Sequence, residues 1–286
     1  MSDPAGPVRA ILLPSYQWNP YQRLLAATLT EQAGIEATAV RDWSKRAPLL
    51  GTWLQQGRPD VVHVHWIHEF LGGSKGTPSA RTVRWFEWQL RALKSLGVRI
   101  VWTVHNLRSH EAEGGDPNDA AAHRAIIEGA DAIIFHCDYA RDALVELYRP
   151  SEAARARMHV LPHGSYLRQY DVEADQAAAR HSLGLPEAGT VFAFVGSIRG
   201  YKNVGELLDA FMSLGELHPD DRLLISGKPL PRKLGRQLEK LAAQDRRIVL
   251  QLDRLPEEEL SRTLRAADAV VLPFRDILTS GSAILA

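Results

Sequence analysis

The sequence predicts an α/β protein in which a parallel sheet is built twice along one chain. Three observations predict this class. Short apolar, β-rich runs alternate with amphipathic helical stretches; a polar, alanine-rich segment at 167–186 interrupts the alternation; and the alternation then restarts. At 286 residues the chain has the length of about two domains, which the interruption places at 1–168 and 169–286.

The elements follow in order. Residues 8–13 read as the first strand. Asn19, Pro20 and Gly34 bracket the helix after it, as an N-cap, a first-turn proline and a C-terminal glycine. Further strands read at 37–40, 61–66, 100–104, 132–137 and 159–162, with the clearest helices at 82–96 and 138–147. Residues 167–186 read as the link. Beyond it, strands read at 191–195, 223–225, 248–252 and 269–272, and helices at 204–214, 233–243 and 257–266. Residues 279–286 open a further helix that stops after about two turns, so the chain reads as lacking the last elements of its second domain.

Composition narrows the function. The chain is 45% apolar and 24% charged, which excludes wholesale disorder. Lys plus Arg and Asp plus Glu are both 34, a poor balance for general nucleic-acid binding, so no nucleic-acid partner is expected. Cys137 is the only cysteine, which excludes an intramolecular disulfide and fits a reducing cytoplasm. No apolar run approaches the ~20 residues of a membrane span. The expected location is therefore cytoplasmic, with peripheral contact at the inner membrane face left open.

In parallel α/β sheets, ligands bind beyond the carboxyl ends of the strands. Those positions hold His63, His65, Trp66, His68, His105, Asn106, His136 and His163 in the first half, and Gly196–Lys202, Gly227–Lys228 and 273–282 in the second. In the run Gly196-Ser197-Ile-Arg199-Gly-Tyr-Lys202-Asn203, a glycine permits a tight turn and two cations share one loop before a helix. Asn203 stands at a capping position, with Glu206 three residues on. Two chemistries fit that spacing: a diphosphate site, in which the cations neutralise a departing nucleoside diphosphate, or a solvated basic loop. Ser280-Gly281-Ser282 opens a helix and reads either as an anion-binding turn or as an ordinary N-cap.

Taken in order, these motifs resemble the retaining nucleotide-sugar glycosyltransferases of family 4, in particular exopolysaccharide-type members. Those proteins have the GT-B fold of two Rossmann-like domains facing across a cleft. The similar stretches are Val61-Val-His63-Val-His65-Trp66, Thr103-Val-His105-Asn106 with His110-Glu111, Gly196…Arg199…Lys202, and Pro273-Phe-Arg-Asp276…Thr279-Ser-Gly-Ser282. The resemblance implies that His105 contacts the donor sugar and that Arg199 and Lys202 grip its diphosphate. It implies donor-side positions at Asn19, Tyr21, Gly196, Ser197, Leu252, Asp253, Leu255, Ser280, Gly281 and Ser282. Acceptor-side positions are His63, His65, Trp66, Asn106, His110 and Glu111. The implied partners are a nucleotide sugar as co-substrate and a glycan or polyprenyl-linked acceptor. No cofactor and no metal are implied, in keeping with the absence of any Asp-x-Asp pair.

The chain departs from the family in three ways. The paired glycines of the first turn are replaced by Ser15-Tyr-Gln-Trp-Asn19-Pro-Tyr21. The two glutamates of the last loop stand as Leu278 and Ala286, and the chain ends early. Two other functions therefore stand beside transfer. One is a metal-dependent hydrolase using His63, His65, His68, His105 and His136; the other is a non-catalytic nucleotide-sugar binder.

Two further features concern surfaces. The stretch 81–93 predicts a helix burying Val83, Phe86, Leu90 and Leu93. Trp85 and Trp88 lie off that stripe beside Arg81, Arg84 and Arg91, and read as packed under a neighbouring loop or as an interfacial patch. Cys137, at the end of an apolar run, reads as a buried small hydrophobe.

Overall fold

The computed structural model describes residues 6–72, 78–108, 115–166, 169–170, 175–214, 219–275 and 277–286. The chain divides into two compact units, Met1–Gly164 and Ser165–Ala286.

Unit 1 holds β1 (Arg9–Leu13), α1 (Tyr21–Ala33), β2 (Glu36–Ala39), α2 (Leu50–Gln55) and β3 (Val61–Val64). After a 3-10 turn at Ile67–Phe70 come α3 (Ala80–Ser95), β4 (Arg99–Thr103), α4 (Pro117–Gly129), β5 (Ala132–Phe135), α5 (Asp138–Tyr148), α6 (Glu152–Arg155) and β6 (Met158–Val160). The six strands lie parallel in the order β2-β1-β3-β4-β5-β6. Strand order reverses between β1 and β3, the place where such sheets open a crevice.

Sequence dictates much of this locally. Helix α3 begins where Ser79 Oγ accepts from Thr82 N at 3.1 Å, and α4 where Asp116 accepts from Asn118 N at 2.8 Å ahead of Pro117. The predicted stripe Val83, Phe86, Leu90 and Leu93 is buried against the sheet, each side chain contributing about 1.5–3 kcal/mol. Gln89 is buried among them because its Oε1 accepts from Leu49 N at 3.1 Å and Leu50 N at 3.2 Å, which ties the start of α2 to α3.

Unit 2 holds α7 (Gln176–Ser182), β7 (Val191–Val195), α8 (Val204–Ser213), β8 (Arg222–Ser226), α9 (Arg232–Ala242), β9 (Ile248–Gln251), α10 (Glu257–Ala266), β10 (Ala269–Val270) and α11 (Gly281–Leu285). Its four strands are parallel in the order β10-β7-β8-β9, so this sheet reverses between β7 and β10. Residues alternate to two cores. Phe194, Leu223, Ile225 and Leu238 pack on one face; Val191, Ala193, Val195 and Leu224 pack on the other.

Several expectations need correction. The stretch 167–186 is not a plain link: Asp175 caps α7, and buried Arg180 donates to Ala266 O and pairs with Asp268, so α7 belongs to the unit 2 body. The third strand ends at Val64, leaving His65 and Trp66 beyond it. Cys137 is half-buried at the start of α5, not in a strand. Asn203 stands before α8 but in the left-handed region, φ 61°, with no side-chain cap, and Glu206 pairs with Arg275 instead of closing a capping box. Among the described residues no helix is long and apolar enough to cross a membrane.

Candidate active site

In unit 1 the parallel register brings the ends of β1, β3 and β4 level, and His65 N bonds to Leu13 O at 2.9 Å. The histidines just past those ends converge. His65 Nδ1 and His105 Nε2 share a hydrogen bond of 3.0 Å, and His63 Nε2 and Thr103 Oγ1 share one of 2.8 Å. His63 stacks on His65 with centroids 4.3 Å apart, and Trp66 stacks on His105 at 4.4 Å. His136 Nδ1–H donates to Leu161 O at 3.0 Å, and His163 Nδ1–H to Gly164 O at 2.7 Å. Tyr21 stands at the centre, with ring contacts to His65, His105, His136 and His163 at 4.8–5.6 Å.

Burial sets the electrostatics. His65 is 1% exposed and His63 7%. Desolvation, aided by repulsion from the neighbouring imidazoles, holds His65 and His105 well below the usual histidine range and brings His63 down to about 3. His136 and His163 are lowered by the same cause. Burial pushes Tyr21 up to about 12, against a hydrogen bond to Thr103 that pulls it down. The cluster is therefore neutral at pH 7. Several of its nitrogens bond to each other or to the backbone, His65 Nε2 and His136 Nε2 meet no partner among the described residues, and His68 lies 3.5 Å from the Glu69 carboxylate. Among the described residues no three His, Cys, Asp or Glu side chains are grouped so as to hold a metal ion, so the arrangement lends the hydrolase reading no support.

His63 lies buried with its ring bonded to Thr103, while His65, although 1% exposed, lines a cleft beside Trp66 and His105. Trp66, His105 and Asn106 keep partial exposure. They line this narrow cleft with His68, Arg108 and His123. Asn19 accepts from Tyr21 N at 3.1 Å and fixes the first turn. The glycine-free turn is occupied by aromatic rings: Tyr16 stacks on Trp18 at 5.4 Å and leans on Trp66 at 5.1 Å. The sequence motifs included Tyr16, Trp18 and Thr103 without a role for any of them, although aromatic residues two apart in a turn beside Tyr21 were a visible signal. His110 and Glu111 lie outside the described residues, as does Asp276.

In unit 2 the loops after β7 and β8 touch backbone to backbone. Gly196 has φ 127° and Gly227 φ 149°, and a Cβ on Gly227 would stand 1.9 Å from Gly196 O. Ile198 N donates to Lys228 O at 2.9 Å, and Leu230 N to Ile198 O at 2.8 Å, which holds the run leading to Arg199 extended. Arg275 N donates to Tyr201 O at 3.0 Å, tying the loop after β10 to the turn holding Lys202. A Cβ on Gly196 would meet Ser282 Oγ at 3.0 Å and Lys202 Nζ at 3.4 Å, so both groups lie over this glycine. Tyr166 Oη would lie 3.4 Å from a Cβ on Gly281.

Lys202 is 8% exposed. Its ammonium lies 5.1 Å from the Phe274 ring centroid and 5.9 Å from that of Phe194. Desolvation, then repulsion from Arg199, brings its pKa down to about 8. Among the described residues no carboxylate pairs with Lys202 or Arg199. The structure therefore gathers Gly196, Arg199, Lys202 and Ser282 at the switch point of the second sheet. Ser197 is exposed, Ser280 Oγ caps α11 by accepting from Ala283 N at 3.2 Å, and Leu252 packs against the unit 2 core. Asp253 is exposed and Leu255 half-buried in the loop after β9.

Two parallel sheets, each with polar groups gathered at its reversal, agree with the GT-B fold class expected from the sequence. Residues 2–164 match the family model "Glycosyl transferase 4-like domain", and residues 175–277 match "Glycosyl transferases group 1". The chain belongs to the glycosyl transferase 4-like family. It is 32% identical over 232 residues to a D-inositol 3-phosphate glycosyltransferase of Mycobacterium sp. (strain JLS), covering 77% of this chain and 47% of that protein. It is 29% identical over 273 residues to the GDP-mannose:glycolipid 4-beta-D-mannosyltransferase of Xanthomonas campestris pv. campestris, covering 96% and 68%. The chain thus spans about half the length of the inositol-phosphate relative. In fold it is similar to Anabaena Alr3699/HepE, solved with UDP and glucose, at TM-score 0.62 and 15% identity over 92% of this chain and 73% of that one. It is also similar to WaaG, a glycosyltransferase involved in lipopolysaccharide biosynthesis, at TM-score 0.59 and 18% identity over 94% and 75%.

Proposed function

We propose that this chain serves a retaining, metal-independent transfer of a sugar from a nucleoside diphosphate sugar to a glycan or lipid-linked acceptor. One observation carries the reading: a buried lysine ammonium and an arginine share one loop, with no carboxylate to pair with either among the described residues. Buried charges need partners, and a diphosphate supplies the missing negative charge. Support for the substrate class comes from the UDP bound to Anabaena HepE and from the glycolipid and GDP-mannose in the name of the Xanthomonas relative.

In the proposed step the bond from the anomeric carbon to the diphosphate oxygen breaks, and its electron pair goes to that oxygen. Arg199 and Lys202 stabilise the charge as it develops. The acceptor hydroxyl oxygen bonds to the anomeric carbon on the same face, and its proton passes to the departing phosphate oxygen. No side-chain nucleophile and no metal take part. His105 is assigned to the transferred sugar.

Calorimetric titration of the chain with UDP, GDP and their sugar conjugates tests this. Binding of one nucleotide in EDTA, weakened about tenfold or more by Arg199→Ala, is expected, since a hydrogen bond to a charged group contributes about 1.5–3 kcal/mol. Absence of binding by every nucleotide, or binding unchanged in Arg199→Ala, overturns the reading. The anomeric proton signal of the product distinguishes retention from inversion, and binding with no transfer would assign the protein to the non-catalytic binders.

A peripheral contact with anionic membrane is part of the same proposal. Trp85 and Trp88 are 40% and 48% exposed and stack at 4.8 Å, and Arg81, Arg84 and Arg91 are exposed on the same helix. A neighbouring loop does reach one of the two indoles, with Trp85 Nε1 donating to Arg46 O at 2.8 Å. Exposed indoles ringed by arginines suit the headgroup region of a lipid surface.

A further inference from the structure

We infer that His65 is a positioning residue that fixes His105 as the tautomer protonated on Nδ1, which makes His105 a hydrogen-bond donor toward its ligand and not a base. The inference does not depend on the transfer reading.

The argument begins with the shared proton. His65 Nδ1 and His105 Nε2 are 3.0 Å apart, and two neutral imidazoles in that contact have one hydrogen between the two facing nitrogens. There are two ways to place it. If His105 Nε2–H donates, the proton of His65 must sit on its own Nε2. That atom is buried and has no partner among the described residues, so the arrangement would leave an N–H with no acceptor and no access to water. If His65 Nδ1–H donates, His65 Nε2 carries only a lone pair, and the proton of His105 lies on Nδ1. Orphaned buried N–H groups are rarer than under-satisfied acceptors, so the second arrangement is selected.

The same cluster offers an independent precedent. His136 Nδ1 faces the carbonyl of Leu161 at 3.0 Å, and a carbonyl can only accept. The proton of neutral His136 is therefore on Nδ1, and its Nε2, also buried without a partner, is a bare lone pair. This pocket already tolerates the kind of orphan that the inference assigns to His65.

The supports around His65 hold its ring still. His63 stacks on it at 4.3 Å and is itself bonded to Thr103, while Tyr21 meets it edge-on at 5.6 Å. The groups facing the His65–His105 pair are His63, His136, His163, Tyr21 and, across the cleft, His68 and Arg108. Burial keeps His63, His136, His163 and Tyr21 neutral at pH 7, and a cation at Arg108 or His68 disfavours protonating the pair without selecting between its two neutral arrangements. His105 Nδ1 has no bond to a described residue, so its N–H is the group left for an oxygen of a ligand.

Nitrogen-15 NMR of the chain labelled at histidine reads tautomers directly, with His105 assigned by the signal lost in His105→Gln. The expected spectrum at pH 7.5 has His105 Nδ1 at a protonated-type shift and Nε2 at an unprotonated-type shift. In His65→Phe, which keeps a ring against His63 but offers no donor, His105 Nε2 should lose the hydrogen bond it accepts and move to the shift of an unprotonated nitrogen without a donor. His65→Asn should restore the wild-type shift, because its side-chain amide can donate from the place of Nδ1. A wild-type His105 protonated on Nε2 overturns the inference, and that measurement requires no variant at residue 65 to fold. A His65→Phe spectrum identical to wild type at His105 overturns it as well.

Discussion

Replacing Lys202 by methionine should stabilise the chain in the absence of an anion while weakening the hold on a diphosphate proposed for it. The ammonium is 8% exposed, lies beside Phe194 and Phe274, and has a pKa brought down from 10.5 to about 8. Each tenfold in an ionisation constant is about 1.36 kcal/mol. Keeping the charge in the folded chain at pH 7, below both values, therefore costs about 3 kcal/mol. Methionine keeps the contacts to both rings and removes that cost. It gives up a cation–π attraction of about 1–2 kcal/mol, so the net gain is about 1–2 kcal/mol. The pH dependence supplies a second signature. Between pH 8 and 10.5 the unfolded chain binds a proton that the folded chain lacks, so wild-type stability rises with pH across that window, and the methionine variant should lack the rise.

The assay must report unit 2. All seven tryptophans lie between Trp18 and Trp102, so their fluorescence follows unit 1 and serves as the control. Hydrogen exchange of the β7 and β8 amides follows unit 2, and their opening free energy should increase in Lys202→Met at pH 7 while nucleotide affinity falls. Weaker protection of β7 and β8 in the variant would mean that the ammonium already has a favourable partner, and the anion-site argument would fail with it.

Two other outcomes follow from the same physics. Unit 1 should lose stability as pH falls below 6.5, because the unfolded histidines take up protons there while buried His63 does so only near 3 and His65 and His105 are also depressed. At pH 5 this is about 2 kcal/mol for His63 alone, visible as a lower urea midpoint in tryptophan fluorescence, and a flat profile between pH 7.5 and 5 would contradict the burial of the cluster. Trp85→Ala/Trp88→Ala should reduce cosedimentation with phosphatidylglycerol vesicles several-fold and leave nucleotide binding unchanged. Equal sedimentation of variant and wild type would remove the membrane contact from the proposal.

What was legible in the sequence was periodicity and punctuation. The alternation of strands and helices, the buried stripe of α3 and the strand-end positions of the histidines all follow from local pattern, and parallel pairing then brings such ends level. Burial of particular polar side chains was not legible. His63 and His65 looked like a cleft lining because residues two apart on a strand share a face. Their rings do stack and His65 does line the cleft, but Tyr21 and the rings beyond β4 bury most of both side chains, and that covering depends on residues distant in sequence. The capping box at Asn203 failed for a comparable reason. Glu206 found a partner in Arg275, 69 positions away, and a long-range ion pair took the side chain that a local motif had claimed.

The two units handle charge in opposite ways, and this bears on what each can bind. Unit 1 suppresses charge: its imidazoles are buried together, so each raises the cost of protonating the next, and they remain neutral donors and acceptors suited to hydroxyl groups. Unit 2 retains a charge that no carboxylate among its described residues pairs with, at a cost to its stability. That cost falls when an anion arrives, because an adjacent negative charge returns the lysine pKa toward its ordinary value. Binding energy from a diphosphate is thus coupled to relief of an existing penalty, whereas a neutral sugar alone gains nothing from Lys202. Affinity for the free nucleotide should therefore exceed affinity for the free sugar by a wide margin, with the lysine supplying much of the difference.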